Sequence, residues 1–194
     1  MSTGKLCFRP PFSAPLPSLP SITERLRRIG LIDRPFREKE QSFLTGERFL
    51  QLITFLGCSP YLQLEPPDDG GSNFCHLRFL GPFEQPQFLY GGNTRPPKCP
   101  NCRRGINDWL SLVEQWQAEP EAPSITCPNC GQHSSPLTLE WRRTAGFGRF
   151  FIQVAEVFPG EAVPVAELMN CLRSGGESWD YFYLQEWPKD RVID

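Results

Sequence analysis

A chain of 194 residues with 39% hydrophobic and 22% charged side chains is long enough to bury a core and too apolar to be read as disordered. Its 20 basic and 22 acidic side chains leave a net charge of −2, which speaks against a protein whose main task is to hold a phosphate backbone. No run approaches the ~20 apolar residues that cross a bilayer, prolines interrupt the apolar core a signal peptide would need, and eight cysteines in such a chain point to thiols and thiolate–metal bonds in the cytoplasm.

Residues 1–20 are expected to form a proline-rich extended arm. Pro10, Pro11, Pro15, Pro17 and Pro20 each lack a donor and restrict the residue before them. A helix comes next, capped by the Ser21 and Glu24 pair, with Ile22, Leu26 and Ile29 on one face and Gly30 as its stop. Asp33 to Gln41 is charged and reads as a solvated connection. A second helix is expected from Thr45 to Leu56, on the stripe Phe49, Leu52, Ile53 and Leu56, closed by Gly57 and Pro60.

Phe74–Leu80 alternates apolar and polar residues as a half-buried strand does, with His76 on the polar face, and Gln87–Tyr90 reads as another strand. Trp109, Leu112, Val113 and Trp116 form a helical stripe, with Asn107 as its cap. Leu137, Leu139 and Trp141 alternate as a short strand, and Gly146-Phe147-Gly148 reads as a flexible turn. Phe150–Phe158 has the strongest strand composition in the chain. Pro164 begins a helix with Val165, Leu168 and Leu172 on its face, stopped by Gly175 and Gly176, and Ser178–Leu184 returns to the sheet. Trp179, Tyr181 and Tyr183 share one face of that strand, which the fold is expected to cover. This order predicts an α+β fold, a mainly antiparallel sheet with packed helices, spanning residues 21–194 and interrupted by an insert at 95–141.

The insert carries the chemistry. Cys99-Pro100-Asn101-Cys102 and Cys127-Pro128-Asn129-Cys130 repeat the same tetrapeptide, 24 residues apart. Two intervening residues let both thiolates of a pair reach one ion at ~2.3 Å, and two pairs complete a tetrahedral shell with no open position. One structural zinc ion on Cys99, Cys102, Cys127 and Cys130 is therefore expected. Gly131 stands after the second pair, while Arg103 occupies the matching place after the first. This segment resembles the zinc ribbon, and its knuckles also resemble those of rubredoxins. The resemblance implies a β-hairpin at each knuckle with the four cysteines in the ligand positions, and it leaves a rubredoxin-like electron carrier as one alternative.

No catalytic constellation is visible. Two histidines, His76 and His133, are too few for a His-based triad, and Cys7, Cys58, Cys75 and Cys171 stand apart from any partner base. The usual nucleotide-binding loops are missing, so no small-molecule substrate is inferred. Arg103 and Arg104 at the first knuckle, with Arg142 and Arg143 after the second, lie close in sequence to Trp109, Trp116 and Trp141. Arginine with tryptophan suits a protein interface, and it also suits a nucleic acid stacked on aromatic rings. The sequence thus predicts a non-enzymatic adaptor or regulatory protein that binds another protein, with nucleic-acid binding as the alternative and no membrane contact.

Overall fold

The computed structural model describes residues 4–37, 40–56, 62–68, 70–118, 124–173 and 178–187. The fold is α+β and mainly antiparallel. Six strands make the principal sheet: β1 (Gly4–Arg9), β2 (Ile32–Arg37), β3 (Ser42–Thr45), β5 (Leu77–Leu80), β10 (Phe151–Ala155) and β12 (Asp180–Gln185), in the order β12-β1-β10-β5-β3-β2. Every neighbouring pair is antiparallel.

One face of this sheet presents Leu6, Phe8, Ile152, Val154, Leu77 and Phe79 to the main core. Helices α1 (Leu19–Arg28), α2 (Phe49–Leu52) and α4 (Ala166–Cys171) cover it, together with the small pair β4 (Ile53–Phe55) and β11 (Ala162–Pro164). Ile22 and Leu26 of α1 are one turn apart and fully buried, so the helix sits on the sheet by its apolar stripe.

The opposite face buries Cys7, Phe151, Phe182 and Leu184. Against it lies a second antiparallel pair, β6 (Gln87–Tyr90) with β9 (Ala145–Gly148). Gly146 and Gly148 face the sheet at van der Waals limits: a Cβ on either would stand 2.7 Å from the ring of Phe182 or Phe151. The segment expected to be a flexible turn is thus a fully buried strand whose glycines admit two aromatic rings. Its other face, Ala145 and Phe147, belongs to a separate core.

Several expectations are corrected. Residues 4–9, assigned to the proline-rich arm, are β1, which lies between β12 and β10; the alternation of Leu6 and Phe8 outweighs the neighbouring prolines. Ser18, not Ser21, caps α1 by accepting the Ser21 N–H at 3.3 Å, and Pro20 lies in the first turn. The second helix stops at Leu52 because Ile53, Thr54 and Phe55 pair with β11, and Leu56, the end of the helical stripe, is 56% exposed. Of the charged stretch from Asp33 to Gln41, the part up to Arg37 belongs to edge strand β2, where Pro35 is tolerated and exposed.

In place of the expected strand at 137–141 there is a 3-10 turn, Pro136–Thr138, held by the Ser135 hydroxyl, and then an isolated bridge at Glu140, so Leu139 and Trp141 are buried without a ladder. Pro164 ends β11, and α4 begins after Val165. His76 is buried instead of lying on a polar face: its Nδ1 is 2.8 Å from the Phe74 carbonyl, the rings of Phe36 and Phe74 flank it, and burial lowers its pKa. Trp179 is covered by the fold, with Tyr181 and Tyr183 partly so. Gly57, Cys58, Pro60, Gly175 and Gly176 lie outside the described residues. Among the described residues no helix is long and apolar enough to cross a membrane.

Candidate metal centre

Residues 91–144 leave the sheet at the end of β6 and return at the start of β9. They carry helix α3 (Trp109–Ala118), the short hairpin β7 (Ile125–Thr126) with β8 (His133–Ser134), and a bridge in which the Lys98 backbone pairs with both Gly105 and Glu140. Their core is Cys99, Ile106, Val113, Ile125, Cys127, Leu139 and Trp141, resting on Phe88 and Phe147 of the β6–β9 pair. Trp109 and Trp141 each meet the ring of Phe88, and Trp116 meets Phe147 edge-on at 5.3 Å between centroids.

The two knuckles have the same backbone. Arg103 N–H donates to the Cys99 carbonyl at 3.0 Å, and Gly131 N–H to the Cys127 carbonyl at 2.9 Å. Cys99 N–H donates to the Arg104 carbonyl and Cys127 N–H to the Gln132 carbonyl, both at 2.9 Å. This closure needs a left-handed residue in the fourth position after the first cysteine. Gly131 supplies it at φ 70°, and Arg103 adopts it at φ 62° despite its side chain.

These turns converge four sulfurs. Cys99 and Cys130 Sγ are 3.9 Å apart, as are Cys102 and Cys127 Sγ, and all four lie within 4.8 Å of one another. A disulfide needs ~2.05 Å, so these are free thiols. Sulfurs ~2.3 Å from a tetrahedral ion stand roughly 3.8 Å from each other. The donor set therefore fits a metal ion. Cys99 and Cys127 are buried, Cys102 is half-buried and Cys130 exposed, so the centre sits at the surface of its own core.

Hydrogen bonds to sulfur tune the thiols. At Cys127 burial opposes ionisation, but the backbone N–H groups of Asn129 and Cys130, with the Cys130 and Cys99 thiols, bring it down to about 6. The Gln132 N–H, then the Asn101 side chain, hold Cys130 below the usual thiol value. For Cys102 the Arg104 N–H acts downward, yet burial and the three neighbouring thiols push it up to about 11. Four thiols this close cannot all ionise without a cation between them. Asn101 reaches Cys130 Sγ at 3.6 Å, and Asn129 donates to the Gly105 carbonyl at 3.1 Å, linking the knuckles. These amide roles were legible only as the repeated Asn of the two tetrapeptides.

His133 is exposed and its Nδ1 lies 3.2 Å from Thr126 Oγ1, outside the sulfur cluster. The four arginines expected to form one binding face divide. Arg103 is 3.7 Å from Glu140, and Arg104 is exposed beside it. Arg142 reaches back to the Pro96 carbonyl at 2.9 Å. Arg143 points to the principal sheet, stacked 4.3 Å over the Tyr181 ring and donating to its hydroxyl at 2.8 Å. The tryptophans named with them pack into the core, Trp141 at 5% exposure and Trp109 and Trp116 partly buried.

Clamps missed in the sequence seat the module on β12. Tyr183 N–H donates to the Arg143 carbonyl at 2.9 Å, Gly92 N–H to the Gln185 carbonyl at 2.8 Å, and Asn93 bonds both Tyr183 and Gln185. The outer edge of the strand is thereby closed. Comparison with family models, with curated proteins and with solved structures finds no match to this chain.

Proposed function

We propose that this chain is a zinc-holding, non-enzymatic binding protein, an adaptor or regulatory component, in which a zinc-ribbon module on the β6–β9 pair meets another protein. The observation that carries the reading is the convergence of four cysteine sulfurs within 4.8 Å. Four thiolates are soft ligands in the number and geometry that zinc takes at structural sites. With four protein ligands the ion has no position left for substrate or water, so its contribution is to stability.

That contribution is large for a segment with a small core of its own. Structural zinc supplies an apparent ~10–16 kcal/mol, against the ~5–15 kcal/mol stability of a whole domain. Two of the remaining cysteines are poor nucleophiles. Burial pushes both Cys7 and Cys75 up to about 12, which leaves them protonated and inert.

Elemental analysis of the purified native chain should find about one zinc per molecule, and affinity capture of that zinc-loaded chain should return a protein partner. Iron in place of zinc, with reversible reduction, would favour the electron carrier. Enriched nucleic acid without protein would favour the other binding class.

A further inference from the structure

The metal module gathers cations along one edge. Lys98 pairs through its backbone with Gly105 on one side and Glu140 on the other, so the segments bearing Arg95 and Lys98, Arg103 and Arg104, and Arg142 lie side by side. Arg142 spans them by its bond to the Pro96 carbonyl. Glu140 is the carboxylate these pairings bring to the edge, and its contact is Arg103. Among the described residues no carboxylate pairs with Arg95, Lys98, Arg104 or Arg142.

A second observation concerns the backbone. Arg103 and Arg142 both occupy left-handed conformations, at φ 62° and 51°. The equivalent of Arg103 in the other knuckle is a glycine, so the turn itself does not require a side chain. Nor does the ion pair to Glu140 account for the arginine, since both partners are well exposed and such pairs contribute little. Arg95, Lys98 and Arg104 therefore add positive charge to this edge that no carboxylate among the described residues offsets.

We propose that this edge, formed by Arg95, Lys98, Arg103, Arg104 and Arg142, docks an acidic segment of the partner protein. The assignment rests on the binding-protein reading and specifies its partner's chemistry. Guanidinium forks match carboxylates in pairs, and the excess of positive charge calls for an acidic ligand. Nucleic acid fits less well: Trp141 is buried, Trp109 and Trp116 are partly buried against the same core, and the whole chain is not basic. Arg143 is not part of the edge because its guanidinium lies on Tyr181 of β12, away from the segments that Lys98 joins.

The test is fluorescence anisotropy with the full zinc-loaded chain. One probe is a flexible glutamate–glycine peptide, and the other is a single-stranded oligonucleotide of equal net charge. Replacing Arg103, Arg104 and Arg142 together with Gln should weaken peptide binding about tenfold, whereas Arg27→Gln with Arg28→Gln on the exposed face of α1 should leave it unchanged. Zinc content is measured on every protein, so an unfolded module is recognised. The proposal is overturned if the wild-type chain does not bind the peptide at low salt, if the zinc-loaded triple variant binds it undiminished, if the α1 variant loses as much, or if the oligonucleotide binds more tightly. A wild-type chain that lacks zinc yet binds the peptide through these arginines would sink the zinc reading and leave the edge standing.

Discussion

The two knuckles share a tetrapeptide and a hydrogen-bond pattern, and they differ in the two residues beyond the second cysteine. After Cys130 come Gly131 and Gln132; after Cys102 come Arg103 and Arg104. Backbone closure is equivalent, with carbonyl contacts matching to within 0.1 Å, so the requirement of the metal centre is met at both sites. The difference lies in side chains that the turn does not use. The second knuckle takes the conformationally cheap residue and exposes Cys130, while the first places charge on the surface at a backbone cost. Gly131 therefore shows that the turn itself needs no side chain, and Arg103 and Arg104 carry charge beyond that need.

The largest effect should be symmetric. Cys99→Ser and Cys127→Ser are each expected to destabilise the protein by more than ~4 kcal/mol, because either change breaks the four-thiolate shell. Denaturant unfolding with zinc content measured alongside would check this. A cost confined to one knuckle would break the equivalence. Gly146→Ala is a smaller change at the module's seat. Its Cβ would stand 2.7 Å from the Phe182 ring, and a loss of ~1–3 kcal/mol is expected in the same assay.

Backbone cost should then separate the knuckles. Gly131→Ala meets no atom within 4 Å, so its expected loss of ~1 kcal/mol reports the left-handed conformation alone. Arg103→Gly should move the other way, raising stability by up to ~1 kcal/mol while weakening acidic-peptide binding. Stability gained at the expense of binding would mark Arg103 as present for the partner. The smallest predicted difference is one of order: under limiting alkylation of the metal-loaded protein, peptide mass spectrometry should find Cys130 modified before Cys102, and Cys99 and Cys127 last.

Much of this was legible in the sequence where a local pattern had one physical solution. The repeated tetrapeptide led to the four converging sulfurs, the stripe from Trp109 to Trp116 to α3, and Gln87–Tyr90 to β6 with the same bounds. What escaped was settled by distant pairing. Ile53 to Phe55 completes a helical stripe yet forms a strand, because β11 offers it a partner far along the chain. Gly146-Phe147-Gly148 looks like a turn until Phe182 and Phe151 are set against it. Closeness in sequence groups the four arginines into one face, but in the fold Arg142 bonds the Pro96 carbonyl while Arg143 goes to Tyr181 of β12.

If a zinc ion on four thiolates holds the module together while the sheet stands on its own core, removing the ion should unfold one and spare the other. Amide hydrogen exchange of the full chain, before and after removal of zinc by a chelator, distinguishes the two. Protection should be lost across residues 96–144 and retained in β1, β5 and β10, whose side chains lie in the main core and against the β6–β9 pair. Unchanged protection of Ile106, Val113 and Ile125 in the metal-free chain would show that the module stands without its ion.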